Sequence, residues 1–113
     1  MPKVLILEDD PDIAELYRLF LVNAGFEVVG VGSDPLRATS GPVPDLILLD
    51  ERLGLRSGSD AIPDLRRAFP AARIVLATAD QDAAERARAR GADDVEMKPF
   101  SLDRLVRDLP KVP

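Results

Sequence analysis

The chain contains no cysteine and no histidine. Without thiols or imidazoles there is no disulfide framework, no cysteine nucleophile, no Ser-His-Asp triad and no zinc site of the usual nitrogen and sulfur donors. Any chemistry must use oxygen ligands together with Lys and Arg. Aromatics are scarce at 4%, and only three of the fifteen basic residues are lysine. Twenty acids outnumber the bases, giving a formal charge of −5. The broad positive footprint that nucleic acid requires is missing, so no direct nucleic-acid partner is expected. No run approaches the roughly 20 apolar residues of a membrane span. Met1-Pro2-Lys3 passes straight into Val4-Leu5-Ile6-Leu7 and then acids, unlike a signal peptide. The expectation is a cytoplasmic protein with no membrane partner.

What is present is 113 residues with 46% hydrophobic content, the size of one domain. A chain of this length buries roughly 60–70% of its unfolded surface, so it needs no staples. Short apolar runs at residues 4–7, 28–31, 46–49, 74–77 and, more weakly, 95–97 read as five buried strands. Between them lie helical patterns. Residues 11–23 carry Ile13, Leu16, Tyr17, Phe20 and Leu21 at the spacing of one apolar stripe, with Asp10 as N-cap, Pro11 at the first position and Gly25 as terminator.

Residues 61–69 predict a further helix, in which Pro63 must occupy the first turn, and Pro70 ends it. Residues 82–90, rich in Ala and Arg and stopped by Gly91, predict a helix with little bulky apolar content. Residues 102–109 follow Ser101, an N-cap, and place Leu102, Leu105, Val106 and Leu109 on one face. Residues 33–44 are interrupted by Pro35, Gly41, Pro42 and Pro44 and leave room for a stunted second helix only. Strand and helix alternate with short links, which implies an α/β fold: a parallel sheet with helices on both faces.

In such sheets ligands bind beyond the carboxyl ends of the strands. Those ends read Glu8-Asp9-Asp10, Asp50-Glu51-Arg52, Thr78-Ala79-Asp80 and Lys98-Pro99-Phe100. Carboxylates gathered at one rim repel unless a cation or proton joins them. Mg²⁺ suits one or two carboxylates plus waters and a phosphate. Lys98 and Thr78 add an ammonium and a hydroxyl suited to phosphoryl oxygens.

Five segments in order, Val4-Leu5-Ile6-Leu7-Glu8-Asp9-Asp10, Pro44-Asp45-Leu46-Ile47-Leu48-Leu49-Asp50, Ala77-Thr78-Ala79, Gly91-Ala92-Asp93-Asp94 and Lys98-Pro99-Phe100, closely resemble the receiver domain of two-component response regulators. The resemblance spans nearly the whole chain. It implies a doubly wound five-stranded parallel sheet of order 2-1-3-4-5, flavodoxin/CheY-like. It makes Asp50 the phosphoacceptor and Asp9 a direct Mg²⁺ ligand, with Glu8 acting mainly through water and the carbonyl of Arg52 as a further ligand. Thr78 and Lys98 would bind the phosphoryl oxygens, and Lys98–Pro99 would be cis. The implied donor is a sensor histidine kinase or a histidine phosphotransfer protein, and the implied listener a downstream effector protein. The chain would be no enzyme beyond its own phosphorylation and dephosphorylation.

Several positions depart from that pattern. Val95 stands where the family carries the Tyr or Phe that couples the site to the surface. Gly54 stands where Pro is usual, which predicts a looser loop over residues 53–58. Arg52 and Asp80 occupy the variable rim positions, where an ion pair between them would exclude hydrolytic water, with plain solvent exposure of Arg52 as the rival reading. Arg86, Arg88 and Arg90 read as a solvated helix face with a partner-binding strip as the rival. Residues 1–113 are expected to form a single receiver domain without an output domain. The alternative function is a pseudo-receiver of the same fold that binds partners without phosphorylation. Asp10-Pro11-Asp12 also resembles the two-acid motif of haloacid-dehalogenase-like phosphatases, though that family usually has a larger domain with a cap.

Overall fold

The three most apolar runs become the three innermost strands. β1 (Lys3–Leu7), β3 (Leu46–Asp50) and β6 (Arg73–Thr78) are buried along their length except at Lys3 and Arg73. Strands covered on both faces need continuous apolar sequence, which is why these segments do not alternate. β2 (Glu27–Gly32) and β7 (Asp94–Met97) are the partly exposed edges. The computed structural model describes residues 1–99 and 101–108. Its main sheet runs β2-β1-β3-β6-β7 with all neighbours parallel, the expected 2-1-3-4-5 order. The expectations for Phe100, Leu109 and the Leu102 side chain lie outside the described residues.

Helices cover both faces. On one, Tyr17 and Leu21 of α1 (Pro11–Asn23) and Leu105 of α5 (Leu102–Asp108) pack on Val4, Ile6, Leu46, Leu48 and Val75. On the other, Ile62 and Leu65 of α3 (Gly58–Ala68) and Ala87 of α4 (Gln81–Ala89) pack on Leu5, Leu7, Ile47, Leu49, Ile74 and Leu76. α4 packs closely through its small residues: Ala83, Ala84 and Ala87 are fully buried. Among the described residues no helix is long and apolar enough to cross a membrane.

Local chemistry sets the helix ends. The Asp10 carboxylate accepts from the backbone N–H of Asp12 at 2.9 Å and of Ile13 at 3.3 Å, capping α1 ahead of Pro11. Gly25, at φ 95°, turns the chain out of that helix. α2 (Pro35–Ala38) is a single turn. The Thr39 and Ser40 hydroxyls bond back to the Leu36 and Arg37 carbonyls and close it.

Three details differ from the sequence expectations. The α1 stripe is narrower than its periodicity predicts. Ala14, Tyr17 and Leu21 are buried, whereas Ile13 and Leu16 are exposed, because β1, β2 and α5 reach only one line of the helix. α3 begins at Gly58, since the Ser57 hydroxyl caps it by accepting from Asp60 N at 3.2 Å. Pro63 therefore sits beyond the first turn, where the helix forgoes one backbone bond. Finally, residues 52–57 form a hairpin of β4 (Arg52–Leu53) and β5 (Arg56–Ser57) rather than an open loop. Gly54, at φ 65°, supplies the positive φ of its two-residue turn.

Candidate functional site

The carboxyl ends of β1, β3, β6 and β7 open into one cleft of about 1000 Å³. Glu8, Asp9, Asp50, Arg52, Thr78 and Lys98 all line it. Parallel pairing puts these ends on one side of the sheet: Leu7 is level with Leu49, Asp50 with Ala77, and Thr78 with Met97. Each next residue then emerges beside the others.

Asp50 is the floor, only 4% exposed. Its Oδ1 accepts from the Lys98 ammonium, and its Oδ2 accepts from the backbone N–H of Arg52 at 2.8 Å. Lys98 is held in turn by its own backbone N–H, which donates to the Thr78 carbonyl at 2.8 Å. The Lys98–Pro99 bond is cis. The buried Thr78 hydroxyl accepts from Asp80 N at 3.0 Å, which leaves its proton available to an incoming oxygen.

Glu8 is the least satisfied group in the cleft. It is 6% exposed, its Oε2 accepts from Asp10 N at 3.1 Å, and its Oε1 is buried with no hydrogen-bond partner among the described residues. Burial raises its pKa, the Asp10 N–H opposes that rise, and the Asp50 charge adds to it while Lys98 lowers it. An orphaned buried carboxylate oxygen that feels the Asp50 charge suits a hard cation. Among the described residues no three carboxylates stand close enough together to hold a metal by themselves. A cation here would take at most two and complete its shell with carbonyl and water oxygens, which fits Mg²⁺. Gly54 lies beside this corner, where a Cβ would meet Asp9 Oδ1 at 3.8 Å, an ordinary contact.

The rim ion pair is not formed. Asp80 instead caps α4 by accepting from Asp82 N at 3.0 Å, and the exposed Arg52 side chain pairs with no acid among the described residues, so local capping outcompetes a contact across the mouth. The arginine strip on α4 is largely committed as well. Arg86 pairs with Glu51 at 3.2 Å and Arg90 with Asp60 at 3.3 Å. Asp10 of the Asp10-Pro11-Asp12 motif caps α1.

Sequence reasoning placed Glu51 on the rim but gave it no role. Its carboxylate accepts from Ser59 N at 2.7 Å and from the Ser59 hydroxyl at 3.1 Å, fixing the start of α3. Gly58, passed over as a loop residue, presses on β3 so closely that a Cβ would lie 2.1 Å from the Asp50 carbonyl oxygen. Its signal was the Ser57-Gly58-Ser59-Asp60 run, a cap followed by a residue without a side chain.

The chain is 36% identical over 104 residues to the luminescence regulatory protein LuxO of Vibrio campbellii, covering 88% of this chain and 23% of that protein. It is 39% identical over 108 residues to the DNA-binding response regulator MtrA of Mycolicibacterium smegmatis, covering 92% of this chain and 47% of that one. It thus spans about a quarter to a half of these relatives. A crystal structure of a response regulator from Burkholderia pseudomallei, with a phosphorylated aspartic acid, a calcium ion and citrate, superposes with a TM-score of 0.88 at 25% identity, over 97% of this chain and 67% of the other. The response regulator receiver domain model matches residues 4–109. With the five-stranded order, the shared cleft and this match in agreement, the chain belongs to the response regulator receiver domain family.

Proposed function

We propose that Asp50 accepts a phosphoryl group from a phosphohistidine on a sensor histidine kinase or a histidine phosphotransfer protein, and that the phosphorylated surface is read by an effector protein. The observation that carries this is the contact between the Lys98 ammonium and Asp50 at the floor of a cleft shared by all the acids. In the transfer a carboxylate oxygen of Asp50 forms a bond to phosphorus while the phosphorus–nitrogen bond of the donor breaks, and the imidazole leaves with its electron pair. This chain has no histidine to act as its own donor.

Each residue has a task in that step. Lys98 and the Arg52 N–H hold the Asp50 carboxylate in one orientation, so attack in line costs little reorganisation. Thr78 turns its hydroxyl proton toward the arriving phosphoryl oxygens, and Lys98 shares its ammonium with them. Asp9, Asp50 and the Arg52 carbonyl are the direct ligands we assign to Mg²⁺, with Glu8 acting through water. When bound, the ion offsets the repulsion between these acids and the charge on the transferring group. This reading places the protein in the cytoplasm, where such donors present their phosphohistidine. Residues 1–113 would serve it as one receiver unit.

The test is incubation with acetyl phosphate and Mg²⁺ followed by intact mass measurement. A gain of one phosphoryl group that disappears in Asp50→Asn and with EDTA supports the reading. A wild-type chain that never gains mass favours the phosphorylation-independent binding module instead.

A further inference from the structure

Val95, at the position where the family carries a switching aromatic, is half-buried against the cluster of Leu5, Leu7 and Leu76. An aliphatic side chain packed into the core cannot swing between buried and exposed positions as a ring does. Some other contact must carry a change at Asp50 to the surface.

Glu51 is bonded directly to Asp50 in the chain, and its side chain is 13% exposed. Its backbone is fixed in both directions: its N–H donates to the Ala77 carbonyl at 3.1 Å, and its carbonyl accepts from Gly58 N at 2.7 Å. Beyond its bonds to Ser59, its carboxylate accepts from the Arg86 guanidinium on α4 at 3.2 Å. At the far end of α4, Arg90 reaches Asp60 in the first turn of α3. The Arg88 side chain, between them, forms no ion pair with any described residue. α4 is therefore tied at its start to Thr78 through Asp80, and along its flank to the segment that follows Asp50.

We propose that the Glu51–Arg86 pair, backed by Asp60–Arg90, is a strap that holds α4 in the unphosphorylated arrangement and is released when Asp50 is phosphorylated. The proposal rests on the reading of Asp50 as phosphoacceptor. Phosphorylation replaces a carboxylate with a dianionic acyl phosphate one residue from the Glu51 carboxylate. The two anions repel, which pushes the Glu51 carboxylate away from Arg86. Thr78, drawn toward the same oxygens, pulls on Asp80 and so on the first turn of α4. Both effects load the same contact. The arginines are 45% and 36% exposed, so each pair is weak, and its loss shifts an equilibrium by a small factor rather than unfolding the helix.

Hydrogen–deuterium exchange of residues 81–89, measured on the full chain in Mg²⁺ with and without acetyl phosphate, tests this. In the wild type the phosphodonor speeds exchange in α4. Glu51→Gln and Arg86→Ala raise it without donor by about two- to fivefold and shrink the further response, while β1 and β6 are unchanged. Arg86→Lys keeps most of the wild-type behaviour, and Arg88→Ala keeps all of it. Labelled wild type whose α4 exchange does not change overturns the strap alone. So do Glu51→Gln and Arg86→Ala chains that match the wild type, or an Arg88→Ala chain that matches Arg86→Ala. A wild type that takes no phosphoryl group overturns the reading of Asp50 and the release with it.

Discussion

Lys98 and Asp50, 48 positions apart in sequence, form an unequal pair: the lysine side chain is 32% exposed and the aspartate 4%. Removing the lysine strands a buried carboxylate on one backbone N–H. Removing the carboxylate frees an ammonium that water can reach. Lys98→Ala should destabilise the protein by about 1–3 kcal/mol, whereas Asp50→Asn should be near neutral or stabilising. Urea unfolding of the two variants reads the asymmetry directly. Equal losses would show that the buried acid is better satisfied than its two contacts imply.

Glu8 should make the metal-free protein less stable at neutral pH than in mild acid. Its pKa is raised in the fold above the ordinary 4.5, so the stability it contributes is present below 4.5 and is lost as pH climbs through the folded value. Glu8→Gln should remove that decline and add about 1–3 kcal/mol at pH 7. It should also reduce the rise in melting temperature that millimolar Mg²⁺ produces in the wild type. Thermal melts at two pH values, each with and without Mg²⁺, give the four numbers required.

Gly58 should tolerate no side chain. A Cβ would sit 2.1 Å from the Asp50 carbonyl oxygen and 2.9 Å from its carbon, both backbone atoms that cannot turn aside. Gly58→Ala should cost more than about 3 kcal/mol and lower Asp50 labelling with it. At Gly30 the nearest atom is the end of a leucine, Leu5 Cδ1 at 3.0 Å, so Gly30→Ala should cost about 1 kcal/mol. A denaturation midpoint for Gly58→Ala close to that of Gly30→Ala would contradict the close approach.

Tyr17 provides a marker at the alkaline end. Burial first, then the charges of Glu8 and Asp50, push its hydroxyl from 10.0 up to about 12. The folded state therefore favours the protonated ring, and the associated stability is present below pH 10 and lost as pH rises toward 12. At pH 12 the loss should approach about 2 kcal/mol. Tyr17→Phe should remove this part of the alkaline slope, and a wild-type slope that persists in the variant would assign it to other groups.

The strands were legible because continuous apolar runs of four or five residues have few alternatives, and α1 was legible because Asp10, Pro11 and Gly25 mark both its ends. The six cleft residues were found by the rule that strand ends meet, together with the family resemblance. What escaped the sequence depended on contacts between distant elements. Pro63 was placed in the first turn because a proline is tolerated there, whereas the Ser57 cap and the Glu51–Ser59 bonds start α3 three residues earlier. Leu16 read as core because periodicity reports a stripe but not how much of it a neighbour covers. The bonds of Glu51 to Ser59 and Arg86 span 8 and 35 positions, and no local pattern encodes them. Arg52 and Asp80 were open to two readings, an ion pair across the mouth or plain exposure, and the second holds because the nearest backbone N–H takes the aspartate.

The brevity of α2 has a consequence for how the molecule opens. One turn, and an adjoining cavity of about 460 Å³ beside Leu5, Leu7 and Gly30, leave the β2 margin thinly roofed on that face, while β3 and β6 are enclosed on both. The register of β2 also slips beside Val4 and Leu5, interrupting its ladder to β1. Fraying should therefore begin at this margin and spread inward, so brief excursions of the outermost strand leave the acidic basin assembled and ready to react.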